Sequence, residues 1–125
     1  MITVGPEQVI TLISMSTCLG RYTERTNTDR RLNIMQATAI VQVENERVVV
    51  TRWHFVPGAE TGHHVHALDY VVVPLTSGTL RLEDGADARE SRLEAGVSYA
   101  NLTGTAHNVI NANDYDFSFV EIELK

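Results

Sequence analysis

A single cysteine, Cys18, in 125 residues excludes an intrachain disulfide. The fold must therefore be held by its core, and a domain of this length can bury roughly two-thirds of the surface its unfolded chain exposes. Basic residues are also scarce. Ten Lys and Arg against sixteen Asp and Glu leave a net charge of -6, and apart from Arg30-Arg31 the cations are scattered. That balance argues against a phosphate-backbone partner and so against nucleic acid. Long apolar runs are missing as well: the most apolar stretch near the N-terminus covers residues 8–19, short of the roughly 20 residues a spanning helix needs. Glu7 precedes that stretch and no Lys or Arg occurs before Arg21, the reverse of a signal peptide's charge order. A soluble, cytoplasmic protein with no membrane partner is expected. No Gly-rich loop leads into Lys-Ser/Thr and a helix, so phosphate cradling is unsupported. No Ser-His-Asp or Cys-His pattern offers a recognisable nucleophile either.

From residue 39 onward, short runs rich in β-branched and aromatic residues alternate with turn residues, the pattern of an antiparallel all-β domain. The expected strands are 39–44, 47–56, 63–66, 69–75, 79–83, 91–94, 97–101, 107–111 and 116–124. Nine strands with few helices imply a sandwich or a closed barrel. In the last run Ser118, Val120, Ile122 and Leu124 share one face, and Phe117, Phe119, Glu121 and Glu123 share the other. Residues 1–38 read differently. Gly5-Pro6-Glu7 suits a helix start, yet Thr, Ile and Val are frequent enough for a strand, and the polar run Arg21 to Arg31 reads as a loop. The expected division is an N-terminal arm and linker over 1–38, of undecided structure, and a barrel over 39–125.

Two segments concentrate the chemistry. The first, Gly58 through His66, ends in His64-Val65-His66; on a strand, residues two apart point to one side, so both imidazoles can reach one ion about 2.0–2.2 Å from each nitrogen. The second, Gly96 through Asn111, places His107 at the start of another strand after a turn containing Gly104. Three converging imidazoles would leave coordination positions open, the condition for a reactive rather than a structural ion. His63, adjacent to a ligand, should face away, and His54 reads as an ordinary strand residue. Trp53 and Tyr99 are candidate pocket walls, with a core tyrosine the competing reading for Tyr99. Asn111 reads as a turn-fixing residue.

These segments resemble the two motifs of the cupin superfamily, small jelly-roll barrels also called RmlC-like. In the first motif Gly58, five residues, then His64-Val65-His66 agree; in the second Gly96, Gly104, His107 and Asn111 fall in register, with Leu102 where the family has Pro. Gly62-His63-His64-Val65-His66 followed by Asp69-Tyr70-Val71-Val72-Val73-Pro74 further resembles a subgroup of very small cupins that includes the beta-alanine degradation protein. The resemblance covers residues 40–124. It implies a double-stranded β-helix, commonly dimeric, holding a divalent transition metal (Fe, Mn, Ni or Zn). The family's glutamate would fall at Tyr70 or Val71. Asp69 arrives one residue early on a shorter side chain and stands as the candidate fourth ligand, with water in that place otherwise.

The resulting expectation is a metal-binding cupin acting on a small organic metabolite, as a dioxygenase if the ion is redox-active. One alternative is a non-catalytic module in which the metal captures a small molecule. The other is a metal-free sugar isomerase or epimerase using histidine as a general base. A homodimer is expected, with the arm or an edge strand exchanged between chains.

Overall fold

The computed structural model describes residues 34–125; the expectations for residues 1–33 lie outside the described residues. Among the described residues, nine strands carry the regular structure: β1 Thr38–Glu44, β2 Val48–Phe55, β3 His64–Val65, β4 Asp69–Pro74, β5 Gly78–Asp84, β6 Asp87–Leu93, β7 Tyr99–Asn101, β8 Ala106–Asn111 and β9 Phe117–Leu124. They form two facing antiparallel sheets, ordered β1-β2-β9-β4-β7 and β3-β8-β5-β6. This is the expected all-β double-stranded β-helix.

The period-2 pattern of the last strand resolves in favour of its aromatic face. Phe117 and Phe119 point inward, opposite Phe55 and Trp53 of β2. The rings of Phe55 and Phe119 lie 5.6 Å apart and Trp53 packs 6.5 Å from Phe119, within the range of favourable aromatic pairs. Tyr70, Val72, Leu80 and Val109 complete the core. The register continues inward from Trp53 and Phe119 to Thr51 and Glu121. One end of the barrel is thus packed with aromatic rings, and the level above it carries polar side chains.

The largest departure from expectation is β6, which begins at Asp87 rather than at 91. Its first residues, Asp87-Ala88-Arg89-Glu90, are exposed and carry no apolar alternation. As an edge strand it is held by the ladder to β5, from Asp84↔Asp87 to Gly78↔Leu93, rather than by burial of both faces. A two-residue turn, Gly85-Ala86, makes the hairpin possible: Gly85 has φ +64, a conformation glycine adopts without a Cβ penalty.

The aromatic end of the barrel is closed by Asn111, 2% exposed. Its amide donates to the carbonyls of Phe55, Val56 and Tyr115, and its Oδ1 accepts from the backbone and side chain of Asn113. Asn111 fixes the turn into β9 and does not face the histidines, in keeping with its reading as a turn residue.

Candidate metal centre

Local hydrogen bonding explains why the histidines meet. His64 of β3 pairs directly across from His107 of β8, so their side chains leave the sheet on the same side. The loop before β3 is pinned to β8: Thr61 N donates to Val109 O, Gly62 N donates to Asn108 Oδ1 at 2.8 Å, and Asn108 Nδ2 donates to Glu60 Oε1 at 2.7 Å. Gly62 has φ +87, which turns the chain so that the next residues enter the strand in register. His66 follows the strand, with its N–H on Thr105 O and its carbonyl accepting from Gly104 N and Thr103 Oγ1.

The three rings lie 4.7, 4.8 and 5.2 Å apart between centroids. His64 Nε2 is 3.1 Å from His66 Nε2, which is 3.2 Å from His107 Nε2. His64 Nδ1 is 2.9 Å from the carbonyl of Gly62 and must donate to it, leaving Nε2 with a lone pair. His66 Nδ1 faces Glu121 Oε2 at 3.7 Å, a carboxyl beside the ring that favours a proton on that side and a free Nε2. Two ring nitrogens 3.1 Å apart need a proton or a metal ion between them. Donors about 2.1 Å from one ion would be separated by about 3.0 Å at a right angle and about 3.4 Å at the tetrahedral angle, a range that includes the observed values. His64, His66 and His107 can therefore hold a metal ion, and they form the one such group among the described residues.

Electrostatics favour the neutral, ligating form. Burial, followed by the neighbouring His64 and His107, pushes His66 down to about 3. Burial, then His64 and Arg89, lowers His107 to about 4. His64 is lowered too, mainly by burial. Glu121 moves the other way: burial and the nearby Glu123 raise it to about 7, against the hydrogen bond it accepts from Trp53 Nε1 at 3.2 Å.

Asp69 is not brought to this cluster. It is exposed, and its Oδ1 accepts from Thr103 N at 2.8 Å, tying the start of β4 to the loop that precedes His107. At the position of the family glutamate stands Tyr70, whose ring stacks on His66 at 3.8 Å and 19° while its hydroxyl accepts from Asn101 Nδ2. The carboxylate beside His66 comes instead from Glu121 on β9, a residue the sequence reading placed on a face but not in a site. Its signal was there: an acid two residues from Phe119 on the face that proves to be core. His63 faces outward near Asp84. His54 also points away, bonding Ser118 Oγ at 3.0 Å and Asp116 Oδ2 at 3.1 Å. That trio escaped the sequence reading. His54 and Ser118 are cross-strand partners in the β2–β9 register, and Ser118 is buried.

The histidines line a cavity of about 370 Å³. Trp53 and Tyr99 line it too, as do Tyr70, Arg89, Asn101 and Glu121. Burial, then Tyr70 and Glu121, pushes the Tyr99 hydroxyl up to about 12, so it is a hydrogen-bond donor at neutral pH.

No protein-family model matches the chain. It is 54% identical over 90 residues to the beta-alanine degradation protein BauB of Pseudomonas aeruginosa, covering 72% of this chain and 95% of that protein. Among solved structures it resembles a cupin domain from Bordetella pertussis at 53% identity and a TM-score of 0.73, over 74% of this chain and 97% of the other. A protein with a double-stranded beta-helix domain from Klebsiella pneumoniae follows at 26% identity and a TM-score of 0.61, over 71% and 76% of the two chains. No helix among the described residues is long and apolar enough to cross a membrane.

Proposed function

The chain belongs to the cupin superfamily, in the subgroup of small cupins that includes the beta-alanine degradation protein, and from that premise we propose that it is a metal-dependent cupin acting on a small organic metabolite, as a dioxygenase. The observation that carries this reading is the convergence of three imidazoles, His64 Nε2 and His107 Nε2 lying 3.1 and 3.2 Å from His66 Nε2, with His64 Nδ1 engaged by the Gly62 carbonyl. His64, His66 and His107 would hold the divalent ion, and Asp69, engaged by Thr103, would leave the fourth position to water or ligand. When bound, a redox-active ion such as Fe(II) supplies dioxygen chemistry, whereas Zn(II) supplies Lewis-acid chemistry or binding alone.

The side chains around the ion have separable tasks. Glu121 and the stacked Tyr70 hold the His66 ring in position. Trp53 and Val72 give the cavity an apolar wall, and Tyr99 and Asn101 offer hydrogen bonds to a ligand. The relative's name ties it to beta-alanine degradation, and a small amino or keto acid of that size suits a cavity of about 370 Å³. The same reading takes residues 39–125 as the barrel and 1–38 as arm and linker, in a cytoplasmic homodimer. The dimer finds support in the outer face of the five-stranded sheet, where Val50, Val71, Val73, Val120 and Ile122 are half-exposed.

The test is reconstitution of chelator-treated protein with Fe(II), Mn(II), Ni(II) or Zn(II), with metal content and oxygen uptake measured on a panel of small acids and amines. One ion per chain is expected. Removal of a ligand should cost at least the 10–100-fold in affinity typical of losing a ligand's supporting partner, so His64→Ala and His107→Ala should load poorly. Oxygen uptake with Fe(II) but not Zn(II) supports the dioxygenase. Tight ligand capture without turnover in any metal replaces it by a binding module. Parent and variants equally devoid of metal overturn the metal centre in favour of a metal-free isomerase.

A further inference from the structure

Arg89 lies on β6, where alternation puts it on the same face as Ser91 and the buried Leu93. It pairs with Leu82 of β5, which pairs in turn with Val109 of β8. Arg89 therefore occupies the row of the inner face next to that of His107, two strands away. Ladder spacing puts the two backbones about 12 Å apart, and an arginine side chain spans about half of that. Although exposed, Arg89 lines the cavity of the three histidines, and it also lines an outer recess of about 400 Å³ together with His107. It thus stands at the mouth. Its charge is felt by His107 on one sheet and by Tyr99 on the other.

Among the described residues no carboxylate lies within ion-pair distance of Arg89, whereas Arg81 holds Glu83 at 2.8 Å and Lys125 holds Glu44 at 3.3 Å. Asp84 and Asp87 line the outer recess without reaching it. Of the residues lining the inner cavity, Glu121 is the one carboxyl, and it is occupied by Trp53 and His66. Among the described residues the cavity thus has one permanent cation, a planar fork of donors suited to a carboxylate.

We propose that Arg89 determines specificity by anchoring the carboxylate of a small organic acid whose other end lies against His64, His66 and His107. The proposal rests on the metal-centre reading and adds to it the class of ligand.

The experiment uses full-length protein loaded with Co(II), titrated with propionate and with propionamide and followed by calorimetry and by the visible Co(II) absorption. A metal ion by itself favours the carboxylate, so the quantity that decides is the change in the propionate-to-propionamide preference when Arg89 is replaced. Arg89→Gln is expected to reduce that preference about tenfold or more while Co(II) content stays at the parent value. Arg89→Lys, which keeps the charge without the fork, should retain part of it. An unchanged preference in Arg89→Gln overturns the anchor and leaves the metal centre standing. So does a loss shared equally by both probes, which would mark a structural effect. Parent protein that takes up no Co(II) overturns both.

Discussion

Glu121 and the histidines titrate against each other in the metal-free protein, and the signs can be worked out separately. His66 and His107 have folded values of about 3 and about 4, below the usual imidazole value of about 6.5. The unfolded chain takes up protons there that the folded chain refuses. Their contribution to stability is present above pH 6.5 and is lost as the pH falls toward 4 and 3. Glu121, raised to about 7, behaves in the opposite sense: its contribution is present below about pH 4.5 and is lost as the pH rises through 7. Replacing it with glutamine removes the cost of ionising a buried carboxyl. Metal-free Glu121→Gln is therefore expected to gain on the order of 2 kcal/mol over the parent at pH 8 relative to pH 5. Thermal unfolding at the two pH values reads this difference; an equal effect at both would show that Glu121 stays ionised in the fold.

The turns and strand ends carry as much of the site as the strands do. His64 and His107 are cross-strand partners only because the loop 58–63 is tied to β8 through Thr61, Gly62 and Asn108. At the other end Asn111 holds three carbonyls from two separate segments. Truncation to alanine would remove all five of its side-chain hydrogen bonds at a buried position, although Val56 O keeps the Ala59 amide, at a cost of about 2–4 kcal/mol. Asn111→Ala should lower the melting temperature by roughly 10 °C or more, at about 4–8 °C per kcal/mol for a small domain. An Asn111→Ala protein melting within about 2 °C of the parent would mean that water replaces the amide. Glycine acts through the space it leaves as well as through its φ: the Asn113 and Tyr115 side chains close over Gly78, where an added Cβ would meet them at 2.7 Å.

For the whole molecule, the aromatic end and the polar end divide the barrel between stability and chemistry. Burial of Phe55, Phe117 and Phe119 is worth about 2 kcal/mol each, and that packing holds the walls on which the imidazoles stand. The outer sheet face has no such cover among the described residues. Light scattering should give about twice the 13.9 kDa of one chain. Val120→Lys, which would bury an unpaired charge in the proposed interface, should weaken the dimer more than about 100-fold. A dimer indifferent to Val120→Lys would move the interface elsewhere, and one that survives removal of residues 1–33 would take the arm out of it.

Much of this was legible in the chain. Strand alternation follows from a two-residue period that any half-buried sheet imposes, so eight of the nine strands were placed to within a few residues, and β6 was placed short because an exposed edge leaves no apolar trace. His64 and His66 are neighbours along one strand, and His107 was found through its motif spacing. Tyr70 was visible as a departure from the family pattern, but its stacking on His66 was not. Glu121 and Arg89 had no local signature, since each reaches the cavity from a strand remote in sequence. Periodicity assigns a residue to a face of its own strand, and the closure of two sheets then chooses which faces look at each other. Three imidazoles within one ion's reach, a carboxylate behind one of them and a guanidinium at the mouth arise from that closure, which depends on contacts between strands that are not neighbours in the chain.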